Sequence, residues 1–153
     1  MPYHFRPATL DDVATLCHHR RRMFEDMGHQ DAALLDKMTE QFTLWVTKRL
    51  QDKTYYAWLA LDEQKNIVAG AGLWLIDWPP HWLNPRGRRG YILNIFTEPA
   101  HRRQGLARQL TQLCIDACKD MGLSVVALHA SEHGRSIYES LGFTTTNEMR
   151  MQL

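Results

Sequence analysis

Long apolar runs are missing from this chain: none reaches the roughly 18 consecutive residues that a membrane-spanning helix needs. The opening residues Met1-Pro2-Tyr3-His4-Phe5-Arg6 also lack the apolar centre of a secretory leader, so a cytoplasmic location is expected. Cysteine is scarce. The three present, Cys17, Cys114 and Cys118, are an odd number without a second pair at zinc spacing, which argues against a disulfide framework and a cysteine-based metal site. All three fall in helical patterns and read as small core residues in a reducing compartment. A surplus of charge is missing too: 18 basic and 17 acidic residues leave a formal charge of +1, so bulk attraction to nucleic acid or an anionic membrane is not implied. Repeats, low-complexity tracts and linkers are also absent. With 153 residues, 44% of them hydrophobic, the chain suits one domain with its own core.

Basic character is local instead. It gathers at Arg20 to Arg22, Arg86 to Arg89 and Arg102 to Arg108, and only the last group coincides with a glycine at the opening of a helical pattern. A helix start presents amides without intrahelical partners, so Arg102-Arg103-Gln104-Gly105-Leu106-Ala107 reads as an anion-binding turn suited to a phosphate. Its spacing matches neither the dinucleotide fingerprint nor the P-loop. Some other phosphate-bearing ligand is expected.

Tyr3 to Pro7 is a short predicted strand, and Thr9-Leu10-Asp11-Asp12 then resembles a capping box with aspartate in place of the usual glutamate. The first helix follows, with Val13, Leu16, Cys17, Arg20, Phe24 and Met27 at helical spacing and Gly28 as its stop. Arg20 to Arg22 lie near its end, where the helix dipole favours cations, and that account is preferred to a ligand role. A second helix buries Leu35, Met38, Phe42, Trp45, Val46 and Leu50 and ends near Asp52. Thr54–Leu61 and Ile67–Ile76 form a hairpin about the turn Asp62–Asn66. Gly70 and Gly72 clear one face of its second strand, for a neighbouring element or for a ligand.

The proline-broken segment from Asp77 to Pro85 cannot be regular sheet, yet it carries Trp78 and Trp82. Tyr91–Thr97 is the next strand, followed by a helix from Gly105 to Met121 capped by Gly122, a buried strand Val125–His129, a short helix Gly134–Leu141 and a last strand Phe143–Leu153. The order β-α-α-β-β-β-α-β-α-β describes a mixed α/β domain of the α+β type, with a mostly antiparallel sheet.

This order, together with Arg102-x-x-Gly105-x-Ala107, the preceding Ile95-Phe96-Thr97-Glu98-Pro99 and the downstream Tyr138-x-x-x-Gly142-Phe143, resembles the GCN5-related N-acetyltransferase superfamily. Arg6-Pro7-Ala8-Thr9 with Asp12 is similar to the family's opening, so the resemblance covers almost all of residues 1–153. It implies acetyl-CoA as acetyl donor and no metal. The pyrophosphate would lie on the amides of Arg102, Arg103, Gln104, Gly105, Leu106 and Ala107, the pantetheine along Ile95, Phe96 and Thr97, with further contacts at Ser131, Gly134 and Tyr138. A backbone amide near Phe96 or Thr97 would face the thioester carbonyl. The resemblance also implies Tyr138 as the general acid toward the departing thiolate, whose conjugate pKa is near 8.5.

The base is open. Where some family members carry a glutamate, this strand has Tyr91, Leu93 and Asn94, leaving Glu25, Asp26, Asp77, His81 and His129 as substitutes. Glu25, Trp78, His81 and His129 are the candidates for the acceptor side. Trp74, Trp78 and Trp82 would shape that pocket, although two tryptophans equally suit a homodimer contact. The expected partner is a small-molecule or peptide amine that attacks directly in a ternary complex, without membrane or nucleic-acid partners. Two alternatives are an enzyme acetylating aminoacyl-tRNA, which calls for a more basic surface, and a non-catalytic CoA-sensing module.

Overall fold

The Thr9 hydroxyl accepts the amide of Asp11, and the Asp12 carboxylate accepts the amide of Thr9 at 2.8 Å, so the capping box of the sequence forms. Arg6 closes on the same carboxylate through two hydrogen bonds of 2.8 and 2.9 Å, tying the first strand to the first helix start. The computed structural model describes residues 2–153. In chain order it contains β1 (His4–Pro7), α1 (Val13–Asp26), α2 (Ala32–Gln51), β2 (Tyr55–Leu61), β3 (Ile67–Asp77), β4 (Arg88–Thr97), α3 (Leu106–Asp120), β5 (Val126–Leu128) and α4 (Arg135–Ser140). No helix among the described residues is long and apolar enough to cross a membrane.

The strands run in sequence order, β1-β2-β3-β4-β5. The first three pairings are antiparallel and the last is parallel, in keeping with the mixed, mostly antiparallel sheet. One face packs on α3, where Leu73, Leu75 and Ile92 meet Leu106, Leu110, Cys114 and Cys118. The other packs on α1 and α2, where Ala57 and Leu59 meet Leu16, Cys17, Phe42 and Val46. The three cysteines are buried and unpaired, as small core residues are. Burial pushes the Cys118 thiol up to about 11 and also raises Cys114.

Three expectations are corrected. No strand forms beyond α4: residues 144–153 are exposed, with Met149, Met151 and Leu153 almost fully in solvent. Alternation alone does not make a strand, because its amides and carbonyls need a ladder, and none pairs with this segment. The arginines Arg20 to Arg22 also fall short of the last turn of α1, which extends to Asp26. The dipole account therefore fails, and Arg21 and Arg22 are explained by ion pairs to Glu25, Asp36 and Asp26. The third concerns β4, which begins at Arg88 rather than Tyr91, because Gly87 at φ +79° turns the chain early enough for Arg88 and Arg89 to pair with Asp77 and Ile76.

The glycine pair in β3 is filled by neighbours. The His19 ring lies over Gly70, where a Cβ would come within 2.9 Å of Nδ1, and the Tyr55 hydroxyl occupies the space above Gly72. A Gly72→Ala chain must push Tyr55 out of its place, and a loss of about 1–3 kcal/mol in urea unfolding is expected. Unchanged stability would show that the space is not closed.

Candidate active site

β4 cannot keep one register along its whole length. It pairs Leu93 with Gly72 but Phe96 with Gly70, so Asn94 and Ile95 stand opposite one residue of β3. Asn94 takes φ +60°, in the left-handed region open to asparagine. This bulge resets the side-chain alternation. Ile92 and Ile95 belong to the α3 side, whereas Leu93, Asn94 and Phe96 all meet the side of α1 and α2.

On its other edge β4 pairs with β5 only through Gly90, Tyr91 and Ile92. From Leu93 to Thr97 that edge has no partner strand among the described residues, so the two parallel strands part where the bulge lies. Unpaired backbone groups of this kind are ready to pair with an extended ligand that carries its own amides.

Beyond Thr97, a 3-10 turn (Pro99–His101) leads to Arg103 at φ +62° and Gly105 at φ +77°, after which α3 begins. The amide of Gln109, bonded to Gly105, is the first of the helix to find a backbone carbonyl. Those of Arg103 to Arg108 donate to none among the described residues. A Cβ at Gly105 would have no neighbour nearer than 3.9 Å, so the approach is open. Open amides at a helix start fit a pyrophosphate.

The side chains of this loop divide the work. Arg102 does not point to the amides: its Nε donates to the Thr97 carbonyl at 2.9 Å and its guanidinium pairs with Asp26 at 2.6 Å. It clamps the end of β4 to α1, leaving the exposed Arg103 and Gln104 as the side chains beside the amides. Leu106 is buried in the core, and the Ala107 carbonyl accepts the Thr111 hydroxyl. Phe96 is buried beneath α1, with its ring 5.3 Å from that of His19.

Tyr138 on α4 has a buried ring, packed edge-on to Phe143 at 6.2 Å and against the Cα of Gly134. Its hydroxyl has no hydrogen-bond partner among the described residues and is not fully buried, whereas burial of the ring raises its pKa. It is therefore a protonated donor at neutral pH. Ser131 shapes the turn before α4, its hydroxyl and carbonyl both accepting from the amide of Gly134.

The acceptor candidates are not gathered in one place. Glu25 pairs with Arg21 at 3.4 Å and lines a shallow cleft by the α1–α2 connection with His29 and Leu35. Trp78 stacks on the guanidinium of Arg89 at 3.5 Å, five residues before Asn94, or about 16 Å along an extended strand. His81 accepts the Leu83 amide at a loop tip, next to the exposed Trp82. His129 is different: its ring stands edge-on to Tyr91 at 5.7 Å, beside the point where β4 and β5 part.

Sequence reasoning passed over a set of buried polar groups beside the bulge. His19 Nδ1, Tyr55 Oη and Asn94 Oδ1 are all without partners, whereas Asn94 Nδ2 donates to the Leu16 carbonyl at 3.0 Å. The available signal was Asn94 itself, a lone amide in the apolar run Tyr91 to Phe96. Burial lowers the His19 pKa to about 4, with the neighbouring His18 acting in the same direction, so its ring is neutral near pH 7.

Comparison with known proteins agrees with this geometry. The chain is 35% identical, with a TM-score of 0.92 over 99% of both chains, to a GCN5-related N-acetyltransferase from Ralstonia eutropha. It is 29% identical, with a TM-score of 0.90 over 99% of this chain and 96% of the other, to a predicted acetyltransferase from Clostridium acetobutylicum solved with acetyl-CoA. Human N-acetyltransferase 8 is 30% identical over 94 residues, which are 60% of this chain and 39% of that protein's length. The fold and the helix start thus place the chain in the class of proteins with the acetyltransferase fold. The chain belongs to the acetyltransferase (GNAT) family, whose model matches residues 13–143. Enzymes of this family use acetyl-CoA.

Two measurements probe the site. Acetyl-CoA at 100 times its dissociation constant is expected to stabilise the protein by roughly 2.7 kcal/mol in thermal unfolding, and a Gly105→Glu chain is expected to lose that gain by placing a carboxylate at the amides. A full gain in the variant would move the pyrophosphate elsewhere. Separately, because His19 binds its proton more weakly folded than unfolded, stability is complete above about pH 6.5 and falls toward the folded value of about 4. Its share of the slope is at most about 1.4 kcal/mol per pH unit, and a His19→Gln chain is expected to lose it.

Proposed function

We propose that the protein transfers the acetyl group of acetyl-CoA to the primary amine of a small molecule, amino acid or peptide by direct attack in a ternary complex. The observation that carries this reading is the run of amides from Arg103 to Arg108 without backbone partners, placed after a β4 edge left open from Leu93 to Thr97. When bound, acetyl-CoA supplies the activated thioester carbonyl. The amides would hold the pyrophosphate and the open edge would pair with the pantetheine arm. The backbone at Asn94–Ile95 then lies where an amide would stabilise the developing oxyanion.

The amine nitrogen bonds to the acetyl carbon and gives its remaining extra proton to water, the carbon–sulfur bond breaks, and the hydroxyl of Tyr138 gives its proton to the departing sulfur. Solvent later restores that proton. An alkylammonium must first lose a proton, which costs roughly 4–5 kcal/mol at pH 7 without a path for it. His129 is assigned that task. Glu25 and Asp26 are held in ion pairs and His81 Nδ1 accepts a backbone amide, whereas the His129 ring has no hydrogen-bond partner beside Tyr91. A thiol relay is disfavoured, because Cys114 and Cys118 lie in the core under α3. The three reduced thiols also suit a cytoplasmic setting.

Stopped assays of thiol release test the acid. Tyr138→Phe is expected to lower kcat by about 10²-fold or more, with the acetyl-CoA thermal shift intact. Full turnover at saturating acetyl-CoA would remove Tyr138 from the chemistry.

A further inference from the structure

The arginine triplet of α1 contains one member that the fold does not employ. Arg21 pairs with Glu25 and Asp36, and Arg22 with Asp26. Arg20, in contrast, makes no ion pair and no hydrogen bond among the described residues. Its side chain turns inward, and its guanidinium carbon stands 5.1 Å from the Phe24 ring centroid and 4.9 Å from that of Phe42. Burial lowers its pKa, and only the distant phenols of Tyr55 and Tyr91 act in the opposite sense. Aromatic faces attract a cation but do not accept its N–H groups as a carboxylate does. The donors of a half-buried guanidinium are left for something else.

What surrounds it indicates what that is. The half-buried rings of Trp45, Trp74 and Tyr91 and the exposed ring of His129 continue from Phe42 in successive contacts of 5.3–6.3 Å, making an aromatic surface on the bulge side of the sheet. Arg20 stands at one end of it and His129 at the other. A cation held without a counter-ion beside an aromatic wall retains much of its desolvation cost until an anion arrives.

We infer that Arg20 anchors the acceptor by its carboxylate, so that the substrate is a small amine bearing its own acid group, accepted in preference to an uncharged amine or a peptide terminus. The planar fork of a single guanidinium suits the two oxygens of a carboxylate, and with the two phenylalanine rings on the guanidinium the N–H edges remain for that contact. The inference rests on the transferase reading and gives it a substrate class.

The test measures acetyl-CoA binding by thermal shift and thiol release with matched acceptors: free amino acids, their amides, their decarboxylated amines and dipeptides with the same first residue. In the wild-type enzyme the acids are expected to exceed the others in kcat/KM by roughly 10- to 100-fold, the scale of a charged hydrogen-bonded contact. Arg20→Gln is expected to abolish that ratio through KM for the acids, leaving the amide rates and the acetyl-CoA shift unchanged, and Arg20→Lys to restore part of it. The wild-type ratio needs no variant, so misfolding of a mutant does not blunt the test. Equal rates for acids and amides, or a ratio unchanged in a folded Arg20→Gln enzyme, overturn the assignment of Arg20 and leave the transferase standing. Failure of acetyl-CoA to shift the wild-type protein overturns the transferase reading and this inference with it.

Discussion

The bulge at Asn94 and Ile95 sets the geometry on which the rest of the site depends. A strand between two packed layers alternates its side chains, yet β4 turns Leu93 and Asn94 in succession toward α1 and α2. The local cost of the left-handed Asn94 is offset by its amide, which donates to the Leu16 carbonyl and fixes α1 over the strand. Beyond that point Phe96 lies under His19, and Arg102 ties the strand end back to Asp26. β4 therefore ends in a rigid place, with α3 starting at a fixed distance from it.

The second consequence is the parting of β4 from β5. Three residue pairs hold the parallel ladder, and past Ile92 the edge of β4 is open. An open edge is ordinarily a hazard in a sheet, and under the proposed function it would pair with the pantetheine arm of the donor. The open amides before α3 and the free hydroxyl of Tyr138 are the other two elements of the same arrangement. Under the proposed function these three elements would share one ligand, acetyl-CoA, with its pyrophosphate at the amides and its thioester near Tyr138.

The legible features were those with a local cause. The Thr9–Asp12 capping box, the Gly28 and Gly122 helix ends and the hairpin of β2 and β3 all formed, because each depends on residues close in sequence. The glycine turn at the start of α3 was legible for the same reason, since Gly105 before a helical pattern specifies the left-handed turn and the open amides that follow it. The destinations of long side chains were not. Arg102 looks like a phosphate ligand in sequence and is a clamp to Asp26, 76 residues away. Trp78 looks like a pocket wall and stacks on Arg89 toward the far end of β4.

Sequence alone determined the class of fold, the helix limits, the glycine turn before α3 and the membership of the acetyltransferase family, because periodicity, caps and short motifs act over a few residues. Tertiary structure decided which polar groups remain without partners. Arg20, Arg21 and Arg22 are alike as letters; Arg22 meets Asp26 one turn along α1, whereas only the packing of α1 against α2 gives Arg21 the carboxylate of Asp36 and sets Arg20 against Phe42. The same holds for His19, Tyr55 and Asn94, which the glycine pair of β3 and the bulge of β4 bring together in the core. A hydrogen bond or ion pair between residues far apart in sequence is satisfied in space, and no pattern along the chain records it.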